Sequence, residues 1–183
     1  MLQPGRVGSA GTLMGVAKVI EQNESRMTPQ QALAQTLDNC QPDTLLVCGT
    51  LPVRLGSAWH KQYPDKHYTE LLLSESRKAL PSSHTHDLAL IEGALEQLSR
   101  EEGTLLLGQL RNFGTHRIAV IMTDASDWQL SDFLGLGFQR QAYLEGTPAR
   151  TLYTYNIDSY NRRRDWNNPR YWANPEMWDK ARW

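Results

Sequence analysis

Cysteine, net charge and long apolar runs are all scarce in this chain of 183 residues. Cys40 and Cys48 are its only cysteines, too few for a disulfide framework, and they fit a reduced cytoplasmic protein better than a secreted scaffold. Lys and Arg number 19 against 20 Asp and Glu, a formal net charge of -1, so no global field draws the chain to nucleic acid or an anionic membrane. No apolar run approaches the ~18–20 residues of a membrane span. The longest N-terminal one, Leu13 to Ile20, is interrupted by Gly15 and Lys18, which argues against a secretory signal. Internal repeats and low-complexity segments are missing too. What remains is an ordinary mixture, 40% hydrophobic and 21% charged, with the length of one domain.

Residues 1–26 carry Gly5, Gly8, Gly11 and Gly15 and little periodic hydrophobicity, and read as a loose arm or an upstream extension. The native start is therefore Met1 or Met27. A helix fragment around Leu13 to Glu21 is the one element expected there. Order begins at Thr28, where Thr28 and Gln31 make a capping box with Pro29 at the first helical position. Ala32, Leu33, Leu37 and Cys40 then recur at helical spacing, predicting a helix to about Asn39. Gln41-Pro42-Asp43 breaks it, and Thr44 to Gly49 is a continuous apolar run ended by glycine, as in a strand buried on both faces.

The alternation continues. Leu51 to Tyr63 is partly helical, Tyr68 to Leu73 a second strand, and Asp87 to Glu92 a third, with Ala94 to Leu98 opening a helix. Ser99 and Glu102 form a second capping box for a helix over Arg100 to Asn112, closed by Gly114. Arg117 to Thr123 is a fourth strand, and Ser126 with Gln129 caps a short helix to about Leu134. Phe138 to Leu144 and Arg150 to Ile157 alternate around Glu145 to Ala149 as an antiparallel hairpin. The expected fold is thus α/β: a mostly parallel, Rossmann-like sheet of about six strands with an antiparallel hairpin at one edge.

That order resembles class I S-adenosylmethionine-dependent methyltransferases over about residues 28–157. The match is best at Asp-Leu-Ala-Leu-Ile-Glu-Gly-Ala-Leu-Glu-Gln-Leu (Asp87 to Leu98), similar to their fourth strand and following turn. Leu134-Gly135-Leu136-Gly137-Phe138 resembles their last helix entering the hairpin. The resemblance implies S-adenosylmethionine as cofactor, held around Cys48, Gly49, Thr50 and, at the ribose, Glu75. It also places Glu92 and Asp124 beyond strand ends as candidate catalytic or acceptor-side residues.

The chemistry is only partly present. Aligned on Cys48-Gly49-Thr50, the chain offers one of the three expected glycines: Val47 and Leu51 stand at the other two, Leu45 where an acid is usual, and Pro52 follows at once. Only eleven residues, Ser76 to His86, separate the second strand from the third, too few for the further helix and strand of a full sheet, so the fold is a trimmed version. His84-Thr85-His86 beside Asp87 lacks the third ligand of a zinc site and reads as a loop pair, so no metal is expected. Cys48, with no base beside it, reads as core.

Residues 158–183 hold four of the six tryptophans, Trp166, Trp172, Trp178 and Trp183, with Arg162-Arg163-Arg164 and Arg170 between aromatics. Tyr160 to Pro169 and Tyr171 to Pro175 resemble the ending of an uncharacterised gammaproteobacterial family, which implies a bacterial protein and no activity. Such a segment packs on its own domain, on a protein partner or in a homodimer through the tryptophans, or stacks on single-stranded bases. The functional reading is a divergent methyltransferase-like binding or interaction module with a degraded cofactor turn. The alternatives are an active S-adenosylmethionine-dependent methyltransferase and single-stranded nucleic-acid binding through the C-terminal extension.

Overall fold

A computed structural model describes residues 27–72, 74, 85–113 and 115–160. The expected arm, Leu73, Glu75, His84, Gly114 and all four C-terminal tryptophans lie outside the described residues.

Helix α1 spans Pro29–Cys40, and its start is built as the sequence predicts. The Gln31 amide donates to Thr28 Oγ1 at 3.2 Å, the Thr28 amide donates to Gln31 Oε1 at 3.0 Å, and Pro29 takes the first turn, where its missing N–H costs nothing. Strand β1 is Thr44–Cys48, α2 Thr50–Gln62, β2 His67–Glu70, and β3 Leu88–Glu92. Helix α3, Arg100–Asn112, opens on the Ser99–Glu102 box; β4 is Arg117–Thr123, α4 Leu130–Gly135, β5 Gln139–Leu144, β6 Arg150–Asn156 and α5 Ile157–Tyr160.

Several boundaries differ from the sequence reading. The α2 segment is helical throughout. The second strand begins at His67 and ends at Glu70, and among the described residues it pairs on one side, with β1. Ala94 to Leu98 contributes a single 3-10 turn, Leu95–Gln97, before Ser99 starts a new helix. The short helix is capped by Gln129 and Asp132, the Gln129 amide donating to Asp132 Oδ2 at 2.8 Å, while the Ser126 amide closes a turn on the Thr123 carbonyl. Asp87 lies just outside β3: its Oδ2 accepts from the Asp43 and Thr44 amides, 2.9 Å each, and from the Thr44 hydroxyl at 3.0 Å. It fastens the starts of β1 and β3 together.

The six strands form one sheet in the order β2-β1-β3-β4-β6-β5, with β2, β1, β3 and β4 parallel and the β5–β6 hairpin antiparallel. Among the described residues, this is the mostly parallel, Rossmann-like sheet with an antiparallel hairpin at one edge that the sequence predicts. Continuous apolar strands follow from cover on both faces. Leu45, Val47, Leu88, Leu90, Ala119 and Ile121 pack against Leu33, Leu37 and Trp59 of α1 and α2. Their neighbours Leu46, Cys48, Ala89, Ile91, Val120 and Met122 pack against Leu106, Leu107 and Leu110 of α3 and Phe133 of α4. Phe133 stacks on Tyr153 of β6 with centroids 3.8 Å apart and planes 5° from parallel, which locks α4 to the hairpin. No helix among the described residues is long and apolar enough to cross a membrane.

Candidate functional site

From β1 the chain runs outward to β2 and then returns to β3 on the other side of β1. The carboxyl ends of β1 and β3 therefore flank the point where strand order reverses, the place where open α/β sheets bind ligands. Cys48 and Gly49 leave β1 there, Thr50 and Leu51 begin α2, and Glu92 ends β3.

Gly49 holds φ 108, and a Cβ built on it would lie 1.8 Å from the Glu92 carbonyl oxygen. The two strand ends are thus in backbone contact, and only glycine fits. Beyond the contact, the Glu92 side chain turns back over the turn. Its Oε2 accepts a long hydrogen bond from the Leu51 amide at 3.5 Å, and its Oε1 pairs with Arg150 Nη1 at 3.2 Å. Arg150 starts β6, two strands away from β3, and its side chain crosses the end of β4 to reach this carboxylate. Both charged groups are partly buried, with 16% of the Glu92 and 32% of the Arg150 side chain exposed.

The remaining sequence-selected residues fall as follows. Cys48 is 1% exposed and points into the core, where burial and then the nearby Glu70 carboxylate push its thiol up to about 11. It stays protonated at neutral pH and presents no thiolate. Thr50 is exposed at the first position of α2. Asp124 accepts from Thr151 Oγ1 at 2.7 Å, and its amide donates to the Ala149 carbonyl at 2.9 Å, so it ties the end of β4 to the start of β6. Glu75 lies outside the described residues. Gly49, Thr50 and Glu92 are brought together, and Asp124 is engaged at the neighbouring strand end. Arg150 was not selected from the sequence; no local motif marks it, because it sits 58 residues from its partner. Glu96, whose Oε1 accepts from the Thr123 amide at 3.0 Å, was missed for the same reason.

The resemblance implies S-adenosylmethionine, and the turn provides a test of fit. A cofactor carboxylate at a helix N-terminus needs free amides. In α2, Pro52 supplies none and the Leu51 amide donates to the Glu92 carboxylate at 3.5 Å. Two of the amide positions at this helix start are therefore not free. Nor do three His, Cys, Asp or Glu side chains converge as metal ligands among the described residues.

Residues 27–183 match the model of the Family of unknown function (DUF6231), and the chain belongs to that family. Comparison with curated proteins gives no significant match. Among solved structures, the chain is similar to magnesium protoporphyrin IX methyltransferase from Synechocystis PCC 6803 with bound S-adenosylmethionine, with TM-score 0.48, 11% identity, and coverage of 81% of this chain and 85% of that one. It is similar to the methyltransferase domain of bacterial CtHen1, with TM-score 0.47, 8% identity and coverage of 70% and 97%. It is also similar to human N-acetylserotonin methyltransferase in complex with S-adenosylmethionine, with TM-score 0.46, 9% identity and coverage of 69% and 51%.

Proposed function

We propose that this DUF6231 protein is a divergent methyltransferase-like binding or interaction module, its cofactor position filled from within. The observation that supports this reading is the Glu92 carboxylate bridging the Leu51 amide and Arg150 directly above the Gly49 turn. An internal anion at the α2 N-terminus competes with any ligand carboxylate for the same amide. Displacing it would leave the partly buried Arg150 without its partner, which works against any such binding. Pro52 removes a further amide. Two free thiols, one buried and one half-buried, support a reducing cytoplasmic location.

Calorimetric titration of the full chain with S-adenosylmethionine and with S-adenosylhomocysteine tests the reading. The expected result is no binding heat at millimolar ligand. Micromolar affinity that is lost in a Gly49→Arg variant with an intact circular dichroism spectrum would overturn it. That outcome favours the alternative, an active S-adenosylmethionine-dependent methyltransferase, which draws on one feature: a positive-φ glycine retained at the β1–α2 turn.

A further inference from the structure

We propose that the Trp- and Arg-rich segment following Tyr160 docks on its own domain, in a trough running from the chain's exit at α5, past the β5–β6 hairpin, to the flank of α1. The trough consists of two adjoining clefts of about 270 and 340 Å³ that share Thr154 and Asn156 of β6. Leu134 and Phe138 wall the first, with Ser159 at its mouth. In the second, Ala142 and Leu152 face the side of α1. Leu134 keeps 55% of its surface exposed, the highest value among the exposed large hydrophobic side chains described.

Three observations identify the occupant. The first is where the chain leaves the sheet. The Ile157 amide donates to the His116 carbonyl and Ser159 Oγ to the Asn156 carbonyl, which delivers the backbone to the mouth of the first cleft. Docking from there closes almost no loop and carries little of the entropy cost that a distant segment would meet. The second is length. The sequence continues for 23 residues beyond Tyr160, and Trp166, six residues on, reaches up to about 20 Å from it, enough to enter either cleft.

The third is chemistry. Trp166, Trp172, Trp178 and Trp183 carry large apolar bodies with one N–H donor each, a composition that loses heavily if left in water. The second cleft is mainly apolar, while the first is mixed and includes Gln139, whose side-chain carbonyl can accept from indole and guanidinium N–H groups. Met27 also borders the second cleft, so the opposite end of the chain competes for it. Residues 1–26, however, contain no aromatic side chain, and the family match takes in the tail while beginning only at residue 27.

Limited trypsin digestion of the full chain, followed by mass spectrometry, reads the docking at Arg162, Arg163, Arg164 and Arg170. Cleavage is expected to be at least ten-fold slower than in a synthetic peptide of residues 161–183. It should accelerate several-fold in Leu134→Lys, on the exposed rim, and in Thr154→Arg, at the junction of the clefts, with far-UV circular dichroism unchanged in Leu134→Lys. Cleavage as fast as in the free peptide overturns the proposal, as does protection insensitive to both substitutions. Protection that disappears on dilution, together with a dimer in light scattering, would place the tail on a second copy and overturn it as well.

Discussion

Gly49 and Glu92 touch through their backbones: a Cβ on Gly49 would lie 1.8 Å from the Glu92 carbonyl oxygen, with the turn held at φ 108. This contact joins the ends of β1 and β3 at the reversal of the sheet. Gly49→Ala therefore has to move β3 or the α2 N-terminus, and it adopts a backbone conformation that L-residues avoid at a cost of ~1–2 kcal/mol. We expect a loss of at least about 2 kcal/mol in urea denaturation, clash included. A loss under about 0.5 kcal/mol would mean that the turn relaxes freely and is not a fixed closure.

The ion pair above that contact should show coupling. Glu92→Gln and Arg150→Met each leave the other residue's partly buried charge without its partner and are expected to cost about 1–3 kcal/mol. A double-mutant cycle should return an interaction of roughly 1–2 kcal/mol. Additive losses would show that Glu92 and Arg150 stand near one another without acting together.

Two helical glycines should respond with opposite signs. A Cβ on Gly56 in α2 would meet the Tyr68 ring at 2.5 Å and Val47 Cγ1 at 3.0 Å, so Gly56→Ala overpacks the α2–sheet junction and destabilises by about 1–3 kcal/mol. Gly108 in α3 has nothing within 4 Å of the same position. Gly108→Ala gains helix propensity alone and should stabilise by about 0.5–1 kcal/mol. Thermal melts of the two variants moving in the same direction would contradict this packing.

Asp87 sets part of the acid limb. Burial works to raise its pKa and is outweighed by hydrogen bonds from the Thr44 hydroxyl, the Thr44 amide and the Asp43 amide, with His116 adding a smaller pull, so its carboxyl lies below the usual value. A carboxyl depressed in the folded state contributes stability that is present above its unfolded pKa and lost as pH falls through the folded one, here below about pH 4. Asp87→Ala should lower stability at neutral pH and flatten the decline below pH 4. An unchanged acid limb would remove Asp87 from that role.

The two capping boxes at Thr28 and Ser99, the glycine after β1 and the apolar runs of β1, β3 and β4 determined element types and the parallel sheet directly, since each signal is local and each buried strand must be apolar on both faces. The sequence also showed one glycine at the turn after β1, where the methyltransferase resemblance implies three. Where local reading failed, as at Ser126, the helix starts at Leu130 and takes its capping box from Gln129 and Asp132. The content of the site was a different matter. That Glu92 would face the α2 amide, and that Arg150 would reach it across β4, depends on strands 58 residues apart being brought into one sheet. Only the tertiary structure decided that, because a charge acquires its partner from strand order and burial, and neither is written in the neighbouring residues.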